Sequence, residues 1–198
     1  MTVSSAPPVP DVSLHLQWGD RTVDLATRAV VVGVVPTPRF GREAEVVAGV
    51  RALAGAGADV VEVPAEPRLL GPAVGAVDGL PVAAQVTTAE AASAAWSAGA
   101  RLLLVPADQV AGVVAGRPER GGADWQIAAL VTTAEAGRDQ VLDGAGLVAI
   151  DTTALDRVDG VSEESLALAV GVRVVRTSDI RRTRRVVEVM AHLLEARR

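Results

Sequence analysis

The chain has 198 residues, 49% of them hydrophobic but only 2% aromatic, and a formal net charge of -5; this suffices for one sizeable domain whose core must be built from Val, Ala and Leu. It contains no Cys, Lys, Asn or Tyr, which excludes disulfides, thiolate and Schiff-base chemistry and tyrosine acid/base work, and its two histidines, His15 and His192, lie near opposite ends of the chain and argue against a His-rich metal site. The acidic balance gives no electrostatic ground for a nucleic-acid or membrane partner, no apolar run is long enough to span a bilayer, and the N-terminus lacks the pattern of a secretory signal, so a soluble cytoplasmic protein is the expectation.

Residues 1–10 are Pro/Ser-rich and read as a disordered tail, with a single domain over 11–198. The stretch "VSLHLQWGDRTVDL" reads as a β-hairpin turning at Gly-Asp. A strand follows at 29–35 ("AVVVGVV"), then a helix ending at glycine, and a strand at 58–63. Residues 64–79 are rich in Pro and Gly and read as a connection without a helix. Strands are predicted at 80–86, 100–105, 125–131, 147–150 and 172–176. Helices follow the third, fourth, fifth and sixth of the strands so counted, and the last helix, over 179–198, closes the chain. About seven near-continuous apolar strands alternating with helices mean a parallel α/β sheet covered on both faces. Periodicity alone leaves open a doubly wound sheet or a (β/α) barrel, the latter shrunken because a full barrel takes about 250 residues. After the first of these strands comes "PTPRFGRE" rather than a G-x-G-x-x-G turn, which argues against dinucleotide binding. No cofactor or metal is implied.

The hexapeptide VTTAEA occurs twice, at Val86–Ala91 and Val131–Ala136, each time where a strand gives way to a helix. Thr87 with Glu90, and Thr132 with Glu135, have the T-x-x-E spacing of a capping box. The competing reading, a helix N-terminus that receives an anion, sits poorly with a glutamate in each copy.

The order of these pieces resembles the dihydropteroate synthases, the pterin-binding TIM barrels of folate synthesis. The hairpin running into "VVVGVVPTPRF" looks like that family's N-terminal hairpin, first strand and loop, with Thr37, Pro38 and Phe40 retained. "GAGADVVEVPAEPR" resembles its second-strand segment, with Glu66 and Arg68 retained. "PVAAQVTTAEAASAAWSAGARLLLVPAD" and "VRVVRTSDIRRTRRVVEVM" resemble its third-to-fourth and closing segments, the latter retaining Arg176 and Asp179. The resemblance implies a shrunken TIM-type barrel with an N-terminal hairpin and about seven parallel strands. It makes Asp151 a pterin ligand if "VAIDTT" corresponds to the family's sixth-strand motif, but not if it corresponds to the seventh-strand one. Other family ligands are replaced: the first-strand Asn falls on Val35, the third-strand Asp on Gln85, the fourth-strand Asn-Asp pair on Leu104 and Val105, and the closing His on Ser178. The family's lysine has no counterpart. Burying a pterin's polar edge against Val and Leu leaves it unmatched, so the resemblance implies absent or weak synthase activity. The implied role is that of a non-catalytic paralogue, a binding or regulatory partner that forms a homodimer or pairs with an active paralogue. The alternatives are an enzyme for a phosphorylated or anionic metabolite, or a residual synthase.

Candidate anion ligands are therefore Arg176, Arg68 and Arg181. Arg176 is read either as an anion ligand at a strand C-terminus or as an exposed strand-end arginine or a partner for Asp179, and the "RRTRR" run (181–185) either as a solvated face or as a holder of a phosphate or acidic partner. Glu66, Gln85 and Asp179 are further mouth candidates, and Glu62 with Glu66 are read as catalytic carboxylates or as ion-pair residues. Trp96 and Trp125 are expected to pack, Trp18 to cover the barrel bottom, and Val186, Val187, Met190 and Leu193 to face the core.

Overall fold

The computed structural model of the chain describes residues 15–18, 21–25, 27–36, 42–77, 79–116, 126–142 and 146–196. Strands β1 (His15–Trp18) and β2 (Arg21–Asp24) form an antiparallel hairpin with His15 opposite Asp24. Seven parallel strands then close into a barrel: β3 (Val30–Val34), β4 (Val60–Glu62), β5 (Val82–Gln85), β6 (Leu102–Pro106), β7 (Ile127–Val131), β8 (Val148–Asp151) and β9 (Val174–Thr177). β9 pairs with β3, Val30 opposite Val174, so the sheet leaves no open edge. One helix follows every barrel strand: α1 (Glu43–Gly55), α2 (Pro67–Ala76), α3 (Ala89–Ser97), α4 (Val110–Ala115), α5 (Ala134–Leu142), α6 (Arg157–Ala169) and α7 (Ile180–Glu195). The choice between open sheet and barrel is thus resolved in favour of the shrunken barrel.

Alternation along each strand divides the core into two layers. Val31, Val61, Leu103, Val131, Ile150 and Val175 pack outward against the helices. Val30, Val60, Ala83, Leu102, Ala128 and Val174 fill the interior, together with Leu16 and Leu25 from either side of the hairpin. Leu16 and Leu25 thus close the barrel interior from the side of the hairpin. The side chains of His15 and Trp18, and the residues Thr37, Pro38, Phe40 and Trp125, lie outside the described residues, as does the tail 1–10. Barrel diameter grows with strand number, so seven strands enclose less space than the usual eight. Three interior positions, Ala83, Ala128 and Ala149, carry only a methyl group, and this accommodates the narrower bore.

Between β4 and β5 the structure corrects the sequence reading, because 64–79 does contain a helix. Pro67 stands at the first helical position, where its missing N–H is no loss, and Leu69, Leu70 and Ala73 bury one face. Pro72 lies inside α2 and removes the N–H that would bond the Arg68 carbonyl. Arg68 is exposed, so water can serve that acceptor, and burial of the apolar face outweighs the break. On α7, Val187 is buried and Val186 and Met190 are partly buried, but Leu193 is 54% exposed. The predicted apolar stripe is therefore one residue too wide.

Candidate functional site at the barrel mouth

The last inward-facing position of each strand forms the mouth at the C-terminal end. These positions include Glu62 on β4, Gln85 on β5, Leu130 on β7, Asp151 on β8 and Arg176 on β9. Asp151 and Arg176 are direct cross-strand neighbours. Arg176 is also opposite Val32 and Glu62 opposite Val34, so the two face each other across β3, over valine side chains. Arg176 spans that gap. Its Nε and Nη2 donate to Glu62 at 2.5 and 2.7 Å in a fork, and its Nη1 donates to Asp151 at 2.7 Å and to Thr153 Oγ1 at 3.1 Å. The Thr153 hydroxyl and N–H both donate to the other Asp151 oxygen. Burial opposes the charge on Arg176, but hydrogen bonding to Glu62, attraction by Glu62 and then by Asp151 overcome it and raise its pKa well above the ordinary arginine value.

Two carboxylates thus hold one guanidinium, and the cluster carries one excess negative charge with side chains 7%, 20% and 11% exposed. Arg176 pairs with Glu62 and Asp151, not with Asp179. Asp179 instead caps α7 by accepting from the Arg182 N–H at 3.1 Å. The same pattern recurs at neighbouring helix starts. Asp156 caps α6 by accepting from Val158 and Asp159, and Glu163 accepts from the Ala134 N–H of α5 at 2.7 Å. Three helix N-termini, each attractive to an anion, already hold a carboxylate of the chain itself.

The twin VTTAEA segments start helices, but one residue later than the spacing predicts. Thr88 accepts from Ala91 N–H and Thr133 from Ala136 N–H, each at 3.2 Å. With Thr88 as the cap, Glu90 lies one position short of the one a capping-box glutamate occupies.

The remaining candidates scatter. Glu66 and Arg68 pair with each other at 2.7 Å on the surface, Gln85 is exposed at the mouth, and Arg181 is exposed in the first turn of α7. Within "RRTRR" the two readings divide by residue. Arg181 and Arg185 face solvent, Arg184 bonds the Gly57 carbonyl and Asp59, and Arg182 enters the core. Val35 and Val105 belong to the outer layer against the helices, not to the mouth; only Leu104 of the replaced positions on those two strands faces inward. Trp96 is partly buried, with Arg101 5.7 Å above its ring.

Behind the mouth, between α6 and α7, lies a buried cluster that sequence reasoning missed. Glu164 on α6 is fully buried, and its Oε1 accepts from Thr152 Oγ1 at 2.9 Å, Thr183 Oγ1 at 2.8 Å and Arg182 Nη2 at 2.7 Å. The signal was present in the sequence: Gly160, Glu164, Ala167 and Leu168 share one buried helical face, so the glutamate stands where an apolar residue is due.

Among the described residues no cluster of His, Cys, Asp or Glu could hold a metal ion, and no helix is long and apolar enough to cross a membrane. A cleft of about 230 Å³ opens at the opposite end of the barrel, between Arg28, Leu168, Arg173, Met190 and Leu194.

No family model and no curated protein matches the chain in sequence. Its fold has solved relatives. Dihydropteroate synthase from Yersinia pestis, in complex with a pterin–sulfa conjugate, superposes with a TM-score of 0.70 at 12% identity over 93% of this chain and 100% of that one. The enzyme from Xanthomonas albilineans with 7,8-dihydropteroate gives 0.67 at 16% identity over 92% and 99%. That from Thermus thermophilus gives 0.62 at 20% identity over 91% and 99%. At these identities the likeness establishes the fold.

Proposed function

We propose that the chain is a degenerate, shortened relative of dihydropteroate synthase that does not carry out the condensation and serves as a binding or regulatory partner, as a homodimer or beside an active paralogue in folate synthesis. The observation that carries this reading is the engagement of Arg176. Stabilising a diphosphate leaving group requires a cation free to meet the developing charge. Here the guanidinium is taken up by Glu62 and Asp151, which together outnumber it. An anion arriving at the mouth meets excess negative charge, and the adjacent helix N-termini are already occupied by Glu163, Asp156 and Asp179. The inward residues Leu104 and Leu130 offer no polar partner to a pterin edge.

A partner needs a surface, and α6 and α7 offer one. Val158 and Leu166 on α6 and Val189 and Leu193 on α7 are each more than half exposed, apolar side chains that a protein partner would cover. The alternative, an enzyme acting on a phosphorylated metabolite, requires Arg176 to leave two carboxylates.

The test combines activity and binding. The purified protein is incubated with pterin pyrophosphate and p-aminobenzoate, and titrated calorimetrically with a pterin and with pyrophosphate. No product and no binding of either supports the partner reading. Pyrophosphate binding alone supports the anionic-metabolite enzyme, and condensation that is lost in R176M overturns the proposal. Light scattering of the protein alone and mixed with a dihydropteroate synthase from the same cell tests the partner directly; a monomer in both samples removes that half of the reading.

A further inference from the structure

The buried cluster behind the mouth is built in a way that a simple ion pair does not explain. Arg182 meets Glu164 as Arg176 meets Glu62, guanidinium to buried carboxylate. The Arg176 fork makes both bonds. Arg182 makes one, and its Nε and Glu164 Oε2 are buried with no hydrogen-bond partner. Leaving a buried charged donor and acceptor unmatched is costly. The other oxygen of Glu164, Oε1, gathers both threonine hydroxyls and one guanidinium N–H. Gly160 lets the guanidinium lie against α6, since a Cβ there would come 2.9 Å from Arg182 Nη1.

The hydroxyls lead to the mouth. Thr152 follows Asp151 directly. Its N–H donates to the Arg176 carbonyl at 2.9 Å, and its Oγ1 lies 3.1 Å from the same carbonyl and 2.9 Å from Glu164. Thr177 follows Arg176 directly, and its Oγ1 is 3.0 Å from Thr183 Oγ1, which contacts Glu164 at 2.8 Å. One carboxylate oxygen thus ties down the residues immediately after both Asp151 and Arg176.

We propose that Glu164 is a positioning residue of the barrel mouth, fixing from behind the two strand ends that aim Asp151 and Arg176 at each other. A side chain that serves only to join α6 to α7 would stabilise the fold without governing Arg176. The two roles separate in the exchange of the Arg176 Nε proton, which is a donor in the Glu62 fork and is followed by nitrogen-15 NMR with R176K for assignment. E164Q keeps the shape and removes the charge. T152V removes the link to the strand end at nearly constant volume, and T152S restores the hydroxyl. In folded E164Q and in T152V the Arg176 Nε proton exchanges at least tenfold faster than in the parent, while the Leu103 amide on β6 keeps its rate. T152S behaves as the parent. An unchanged Arg176 rate in folded E164Q or in T152V overturns the proposal, as does a T152S variant as fast as T152V. If E164Q does not fold, the T152V and T152S pair decides alone. The outcome is independent of whether the protein binds a partner, because no step of the measurement involves one.

Discussion

Removing the Arg176 guanidinium leaves Glu62 and Asp151 facing each other in a site where both are largely out of water. Breaking a buried pair from one side costs about 3–5 kcal/mol, so Arg176→Met is expected to lower the melting temperature by roughly 10 °C at about pH 8. Arg176→Lys keeps the charge but not the fork and falls between the two. The sign on the alkaline side is also fixed. The folded-state pKa of Arg176 is raised, so its contribution is complete below the ordinary arginine value and is lost only as pH rises through the folded one. Melting of the parent protein should show no step from this residue up to about pH 10. A thermal melt series in pH for the parent and the two variants checks all three statements.

Among the elements, the twin helix starts offer a sharp test because two adjacent threonines compete for one role. Thr88 and Thr133 make the capping bonds. Replacing either by Ala should cost about 1 kcal/mol, and replacing Thr87 or Thr132 close to nothing; urea denaturation of the four variants measures this directly. The reverse ranking would restore the capping box. The sequence announced that helices start here but not which threonine caps, since that depends on where the strand lets go of its last ladder bond. α2 was illegible for a related reason. Three prolines and three glycines in 64–79 read as breakers, whereas the buried face of Leu69, Leu70 and Ala73 tells only once a barrel wall is there to receive it. At the mouth, Arg176 and Asp151 could be singled out one by one. Their joining with Glu62 could not, because that contact crosses 114 residues of sequence and requires the barrel to be closed. Glu164 was legible in principle as a charge on an apolar helical face.

For the whole molecule, the alternation of strands and helices made a parallel α/β fold legible, and the small interior residues were the unread sign of a narrow closed bore. Closure itself rests on the seam between β9 and β3, and one glycine governs how the outer layer covers it. Gly33 lies on β3, paired with Val61 on one side and Thr177 on the other. A Cβ built there would come 2.7 Å from Ile180 Cδ1 of α7, 3.2 Å from Leu53 of α1 and 3.3 Å from Ala58. Ile180 begins the last helix and Leu53 belongs to the first, so the first and last helices meet over this single backbone position. Leu53 and Ile180 can shift only by giving up packing on the same wall. Overpacking of this kind costs about 1–3 kcal/mol, and Gly33→Ala should lose that amount. The loss should be local as well as global: if the seam is what α7 closes, the Val30 amide, which bonds the Arg173 carbonyl at 2.8 Å, gains exchange rate before the Leu103 amide on the far side does. Equal acceleration at both sites would mean that the barrel opens only as a whole, and that its seam is no weaker than any other pair of strands.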